Sequence, residues 1–128
     1  MDPAAFATLD KKPYISLATF KRNGDEVRTP VWFAGCNGKF YVFTEAASWK
    51  VKRLRRDDRI RVAPCSVGGK IQGDWSEGRG RVIEDEKVIA DAYAALDRKY
   101  TWQMRLLNLS SRIFGRIDGR AMLELELD

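Results

Sequence analysis

Apolar and polar residues alternate along short stretches of this chain, and turn residues separate the stretches. Alternation with a period of two is typical of a β-strand that buries one face. Residues 14–20, 27–34 and 40–44 show it, with Asn23-Gly24 and Asn37-Gly38 between them, which predicts three strands joined by hairpins. Further strands are predicted over residues 59–66, 71–83 and 120–127. The pattern therefore predicts six antiparallel strands.

Apolar residues at helical spacing predict helices between these strands. The predicted helices run from Pro3 through Leu9, from Ser48 to near Asp57, from Asp85 through Leu96, and over residues 101–114. Asp2, Ser48 and Asp85 precede the first three helices, where a side-chain oxygen can accept a free backbone N–H. In the second helix, Val51 and Leu54 are three residues apart, so we expect both to face the core.

Six strands with helical insertions indicate a mainly β protein. Glycines at positions 73, 78 and 80 of the fifth strand indicate tight curvature, which favours a six-stranded antiparallel split barrel; the pattern alone leaves a sandwich open. The length predicts a single domain over residues 1–128. No apolar run approaches the roughly 18 residues that cross a bilayer, and no secretory signal begins the chain. We therefore expect a cytoplasmic protein without membrane contact.

The chain has two cysteines and no histidine. The usual ligands of zinc and haem are therefore missing, as is every histidine-based acid or base, and no metal site is expected. Cys36 and Cys65 lack metal-site spacing. We expect both to be reduced and to pack as small apolar residues, although the sequence leaves a disulfide between them open.

The net charge of +5 is concentrated in one segment of the chain. Its basic residues are Lys50, Lys52, Arg53, Arg55, Arg56, Arg59 and Arg61. A single run favours a local anion site over a nucleic-acid surface, which would need exposed aromatic residues between the cations. A solvated helix face remains the alternative.

Ser48, Lys50 and Arg53 lie at the start of the second helix, where free backbone N–H groups and basic side chains can bind a phosphate. Pro30 interrupts an apolar strand, which places it at an edge, at a bulge or where the backbone faces a ligand. Trp32 and Phe33 follow it and can either cover a flat heteroaromatic ring or pack in the core. Together these residues predict a pocket for a phosphate-bearing aromatic cofactor.

The same stretches carry a family resemblance. The order Tyr-Ile-Ser-Leu-Ala-Thr, Thr-Pro-Val-Trp-Phe, Tyr-Val-Phe-Thr-Glu-Ala, Ser-x-Lys-x-x-Arg-Leu-Arg, Val-Ala-Pro-Cys and Gly-x-Trp resembles the pyridoxamine 5′-phosphate oxidase-like split-barrel family, specifically its deazaflavin-dependent branch. The resemblance covers about residues 14–112. It implies a homodimer with two cofactor sites at the subunit interface, each binding coenzyme F420 or, alternatively, FMN.

The resemblance also implies roles for particular residues. The resemblance places one strand along the ring of the cofactor, and this strand consists of Thr29, Pro30, Val31, Trp32 and Phe33. It assigns the phosphate to Ser48, Lys50 and Arg53. The same groove would be lined by Thr44, Ala63, Pro64 and Cys65, and Trp75 would reach in from the partner subunit. No catalytic residue is identified.

Three functions follow as hypotheses. The first is an oxidoreductase that transfers hydride from reduced F420 to a small conjugated or unsaturated acceptor, with the cofactor carrying the chemistry. The second is an FMN-dependent oxidoreductase of the same fold, and the third is a non-catalytic protein that binds a cofactor or tetrapyrrole. Lys52, Arg55 and Arg56 favour F420, because its tail carries additional carboxylates. Trp102, Met104, Leu106 and Leu107 form either a substrate lid or part of the core.

Overall fold

The computed structural model describes residues 1–101 and 119–128, which form seven strands and three helices. The strands are β1 (Ile15–Phe20), β2 (Glu26–Val31), β3 (Ala34–Cys36), β4 (Lys39–Glu45), β5 (Arg59–Pro64), β6 (Ser76–Ile83) and β7 (Arg120–Leu127). The helices are α1 (Pro3–Asp10), α2 (Trp49–Arg56) and α3 (Glu86–Lys99). All strands join one antiparallel sheet in the order β2-β1-β5-β6-β7-β4-β3.

The two edges of this sheet are neighbours in sequence. β2 pairs with β1 and β3 pairs with β4, yet only Trp32 and Phe33 separate β2 from β3. Three residue steps from Val31 to Ala34 span at most about 11 Å. The sheet must therefore curl until its edges approach each other, which confirms the predicted split barrel.

The strand count differs from the prediction because residues 27–34 do not form one strand. The chain leaves β1 after Val31 and begins to pair with β4 at Ala34. At the crossing, the Tyr100 hydroxyl takes the place of a strand partner for Phe33. It accepts the Phe33 N–H at 3.3 Å and lies 3.1 Å from the Phe33 carbonyl oxygen. Alternation could not show this break, since the partner that replaces the ladder comes from the end of a distant helix.

The fifth predicted strand also begins later than residue 71. β6 starts at Ser76, and the residues before it fold back on the end of β5 through an isolated bridge between Cys65 and Ile71. A Cβ at Gly73 would lie 2.7 Å from Pro64 Cγ, so only glycine permits this close approach.

The predicted helix starts are confirmed, because Asp2, Ser48 and Asp85 each accept backbone N–H groups from their helix. Val51 and Leu54 of α2 are buried in the barrel core with inward residues of β1, β4, β5 and β7. α3 packs on the opposite side of the sheet, with Ala92 and Leu96 fully buried in a second cluster. The helical segment expected over residues 101–114 lies almost wholly outside the described residues. Within the described ranges, no helix combines the length and apolar character needed to cross a membrane.

Candidate functional site

The basic side chains of α2 lie on its outer face because the helix has only one narrow apolar side. Ser48 Oγ accepts the Val51 N–H at 3.4 Å and so fixes where the helix begins. Val51 and Leu54 then anchor the helix to the barrel. At 100° per residue, Trp49, Arg53 and Arg56 must point away from this side. The eight-residue helix contains five basic residues and no acidic one.

Two arginines tie α2 to the end of β1. Arg53 Nε donates a hydrogen bond to the Thr19 hydroxyl at 2.7 Å, and Arg56 Nη2 donates to the Phe20 carbonyl oxygen at 2.5 Å. At the other end of the helix, the Thr44 hydroxyl lies 3.5 Å from the Ser48 hydroxyl. The structure thus brings four predicted site residues together around α2: Thr44, Ser48, Lys50 and Arg53. Ser48, Lys50 and Arg53 are the residues predicted to bind a phosphate, and we call these three residues the phosphate seat.

A groove of about 710 Å³ runs between α2 and the turn after β1. It is lined by Lys21, Arg22, Trp49, Lys52, Arg53 and Arg56, and we call these six residues the basic groove. Five of them are cations, and none is acidic. Arg53 belongs to both sets, so the basic groove adjoins the phosphate seat.

Within the described residues, the seat and groove cations form no ion pairs. Among the described residues, none of them has a carboxylate oxygen within 4.0 Å, since all the ion pairs found there involve other residues. Two basic residues later in the run differ: Arg59 pairs with Asp57 at 2.8 Å and Arg61 pairs with Glu26 at 2.9 Å. In the described part of the chain, the basic run therefore has cations without an ion pair on α2 and ion-paired cations around β5.

Burial and a neighbouring cation lower the pKa of two side chains of the phosphate seat. Burial first, and then the charge of Arg53, lower the pKa of Lys50, while Glu45 acts in the opposite direction. Burial and the charge of Arg56 likewise lower the pKa of Arg53. The positive charges of Lys50, Arg53 and Arg56 are thus close together, and burial partly desolvates the first two. A bound anion would relieve this repulsion and regain hydrogen bonds to both side chains.

The strand predicted to lie along a cofactor ring is β2, at one edge of the sheet. Its register places Pro30 and Ala63 on either side of Ser16, and Val31 and Pro64 on either side of Ile15. The predicted segments 29–31 and 63–65 therefore flank β1 within one small region. Thr29 is partly buried and pairs with Leu17, two residues along β1 from the Thr19 that binds Arg53.

Several predicted ring contacts are buried inside this chain. Phe33 is fully buried and packs edge-on against Phe40 in the barrel core, with ring centroids 5.4 Å apart. Ala63 and Cys65 are also buried, and burial raises the pKa of the Cys65 thiol. The side chains of all three residues therefore pack inside the chain, and a role of their backbone beside a cofactor stays a prediction. Cys36 and Cys65 are both free thiols.

Trp32 occupies a different position from Phe33, since it is only partly buried. Its ring stacks on the Tyr100 ring at a centroid distance of 5.0 Å and meets Phe43 edge-on at 6.2 Å. Tyr100 therefore holds both crossing residues, Phe33 through hydrogen bonds and Trp32 through its ring. Sequence reasoning missed this role, because Tyr100 follows Trp32 by 68 positions and no local pattern links them.

Trp75 packs against its own chain. The guanidinium groups of Arg28 and Arg61 lie 4.5 Å and 4.6 Å from its ring centroid. Both arginines also pair with Glu26, each at 2.9 Å. This cluster covers the outer face of β1 near Ala18, which is paired with Arg28 and Arg61. A contact of Trp75 with a partner subunit stays a prediction.

The sequence patterns also did not indicate that Lys21, Arg22 and Trp49 line the basic groove. Trp49 could have been found from helical spacing, since positions 49, 53 and 56 share the face opposite Val51 and Leu54. Lys21 and Arg22 could not, because only the packing of α2 against the end of β1 brings their turn to the basic groove.

Comparison with known proteins places the chain in a family. The family model described as pyridoxamine 5′-phosphate oxidase matches residues 1–127. No curated protein sequence matches the chain. Among solved structures, a conserved hypothetical protein from Mycobacterium tuberculosis is 20% identical, with a TM-score of 0.74 over 99% of this chain and 81% of that one.

Two other solved structures are of proteins named for the ligand that they bind. The heme storage protein HutZ from Vibrio cholerae is 10% identical, with a TM-score of 0.69 over 99% of this chain and 89% of its own. An FAD-binding protein from Mesorhizobium loti is 15% identical, with a TM-score of 0.65 over 100% of this chain and 89% of its own. At such low identity, these likenesses show a shared fold.

Proposed function

This chain belongs to the pyridoxamine 5′-phosphate oxidase family, and from that membership we propose that it is an oxidoreductase that binds a phosphate-bearing flavin or deazaflavin. Coenzyme F420 is the first candidate cofactor, with FMN as the alternative. The acceptor we propose for the hydride is a small conjugated or unsaturated molecule.

The observation that carries this proposal is the phosphate seat. Lys50 and Arg53 stand next to the capped start of α2 and have no carboxylate partner among the described residues. Burial and a neighbouring cation lower the pKa of each side chain. A surface that merely needed solubility would not require partly buried like charges. A phosphate would supply the missing counter-charge and accept hydrogen bonds from both side chains.

The protein's own residues would bind and orient the cofactor. Lys50, Arg53 and the Ser48 end of α2 would hold the phosphate, while β2 would lie along the ring. When bound, the ring supplies the hydride chemistry. Because Arg53 is fixed by Thr19 and β2 by its pairing with β1, the seat and the ring strand are held at a constant separation. This rigidity supports binding in one defined orientation.

We propose that the functional unit is a homodimer with the cofactor sites at its interface. β2 is an edge strand, so its outer side lacks a strand neighbour within the described part of the chain. A partner subunit placed there would enclose a ring that one barrel leaves open to water. Sedimentation that shows a monomer at micromolar concentration would contradict this arrangement.

Tetrapyrrole binding has less support, although a heme storage protein has the same fold. The chain contains no histidine, which is the most frequent haem ligand in proteins. The cations of the basic groove would suit propionate groups, yet the chain offers no histidine to bind a haem iron.

The experiment that tests the proposal is a parallel titration of cofactor-free protein with F420, FMN and riboflavin, followed by ring fluorescence. Riboflavin lacks the phosphate and so measures the ring contribution alone. Lys50→Ala is expected to weaken FMN or F420 by about 10- to 150-fold, because a hydrogen bond to a charged group contributes about 1.5–3 kcal/mol. The same variant is expected to leave riboflavin unchanged.

Lys12→Ala is the matched control, since Lys12 is exposed and lies outside both the seat and the groove. Tight F420 binding with weak FMN binding would support the deazaflavin assignment, and the reverse would support a flavoprotein. The proposal fails if none of the ring cofactors binds in the micromolar range, or if Lys50→Ala weakens riboflavin as much as it weakens FMN.

A further inference from the structure

Trp49 has a position that phosphate binding at the seat does not explain. It is 69% exposed, although tryptophan is among the largest apolar side chains. The Lys52 ammonium lies 4.4 Å from its ring centroid, and the other residues lining the same groove are cations. Exposure of the apolar Trp49 ring to water is energetically unfavourable. A flat ligand that stacks on Trp49 would remove it from water while its charged part met the cations.

We propose that the basic groove binds a nucleotide, with its base stacked on Trp49 and its phosphates bound by the surrounding cations. The chemistry is that of a nucleoside diphosphate, present either as a free molecule or as the adenosine diphosphate end of a dinucleotide. Lys21 and Arg22 supply cations from one side of the groove, and Lys52, Arg53 and Arg56 supply them from α2.

The charge and size of the groove support this ligand class. Its volume of about 710 Å³ is typical of small-molecule sites, which measure roughly 300–1,000 Å³. Five cations without an acidic lining residue match two or more phosphates. Every base has a π-face, so stacking on tryptophan is tolerant of base identity.

A chain of carboxylates, such as the tail of a deazaflavin, is the main competing occupant. It would use the same cations, yet it would leave the Trp49 ring in water because it carries no planar ring. A nucleotide uses both the cations and the ring. Trp49 is therefore the residue that separates the two ligand classes.

This inference stands apart from the proposed function. The phosphate seat is tested with FMN, riboflavin and Lys50→Ala, whereas the basic groove is tested with ADP and Trp49→Ala. A dinucleotide flavin would occupy both places, because Arg53 belongs to each. With another cofactor in the seat, the groove would bind a separate nucleotide.

The test is a calorimetric titration of the purified full chain with ADP, inorganic pyrophosphate and tetraglutamate. ADP is expected to bind roughly 5- to 150-fold more tightly than pyrophosphate, which is the affinity that stacking of one base contributes. Trp49→Ala is expected to remove this difference while leaving pyrophosphate unchanged, and Trp49→Phe to restore much of it. Lys21→Ala is expected to weaken ADP and pyrophosphate by the same factor, and Lys12→Ala neither.

FAD distinguishes the two sources of the nucleotide. If Lys50→Ala weakens FAD but not ADP, the nucleotide is the end of a dinucleotide that continues into the phosphate seat. If FAD binds no better than ADP, the ligand is a free nucleotide. The inference is overturned if pyrophosphate or tetraglutamate binds as tightly as ADP, or if ADP affinity is the same in Trp49→Ala.

Discussion

Replacement of Tyr100 by phenylalanine tests how the two edges of the barrel are joined. The Tyr100 hydroxyl lies 2.7 Å from the Pro13 carbonyl oxygen and 3.1 Å from that of Phe33, and it accepts the Phe33 N–H at 3.3 Å. One oxygen atom thus links the end of α3 to the crossing between β2 and β3 and to the segment before β1. Burial, opposed by the bond to the Phe33 backbone, raises the pKa of Tyr100 to about 12, so the hydroxyl stays protonated at neutral pH.

The magnitude follows from what Tyr100→Phe leaves behind. The phenyl ring can still stack on Trp32, so the main loss is the acceptor of the buried Phe33 N–H and the one hydroxyl hydrogen that the Pro13 and Phe33 carbonyl oxygens share. An unsatisfied buried donor costs about 1–3 kcal/mol. For 128 residues, an unfolding entropy of about 2.1 cal/mol/K per residue converts each kcal/mol into about 4 °C of Tm. The expected loss is therefore about 4–11 °C.

The assay is urea unfolding with an unchanged m value, together with thermal unfolding. Tyr93→Phe is the matched control, because Tyr93 lies on α3, which ends just before Tyr100, packs against Phe43 at 5.9 Å, and has no hydroxyl hydrogen bond within the described residues. It is expected to cost less than about 0.5 kcal/mol. If Tyr100→Phe costs no more than Tyr93→Phe, the Tyr100 hydroxyl does not hold the crossing between β2 and β3.

Two further predictions concern the stability of the barrel. Burial lowers the pKa of Lys99 to about 8, despite Asp10 3.7 Å away, while an unfolded lysine titrates near 10.4. The unfolded chain therefore binds more protons between these values, so stability rises with pH across this window, by up to about 1.4 kcal/mol per unit, and is lost as pH falls through about 8. Urea unfolding at several pH values should show that Lys99→Met removes this rise; a constant difference between the two proteins would refute it. Gly78→Ala should destabilise the fold by about 1–3 kcal/mol, because its Cβ would collide with the backbone of Glu126 and Leu127. Gly68→Ala, which meets nothing closer than Ser66 Oγ at 3.9 Å, is its control in the same unfolding assay, and equal effects would contradict the collision.

The local elements of this protein follow from its sequence. Asp2, Ser48 and Asp85 mark helix starts because a short polar side chain can accept the free N–H groups there, wherever the helix packs. The turns at Asn23-Gly24 and Asn37-Gly38 likewise depend only on neighbours in the chain. The alternation in β1 predicted one buried face, whereas the tertiary structure buries residues 15–19 on both faces of the strand. The basic face of α2 is also local, since Val51 and Leu54 define the side that must be buried.

Tertiary structure decided the properties that depend on distant residues. The break between β2 and β3 lies where the distant Tyr100 hydroxyl contacts the Phe33 backbone, and the burial of Phe33 depends on how the curled sheet closes around it. The division of the basic run is similar: Arg61 is neutralised by Glu26 from another strand, whereas Lys52 and Arg56 face Lys21 and Arg22 across a groove. Sequence specifies charge and local geometry through short-range sterics and hydrogen bonding. Which charges remain uncompensated is set by the three-dimensional arrangement, because Coulomb interactions act through space and not along the chain.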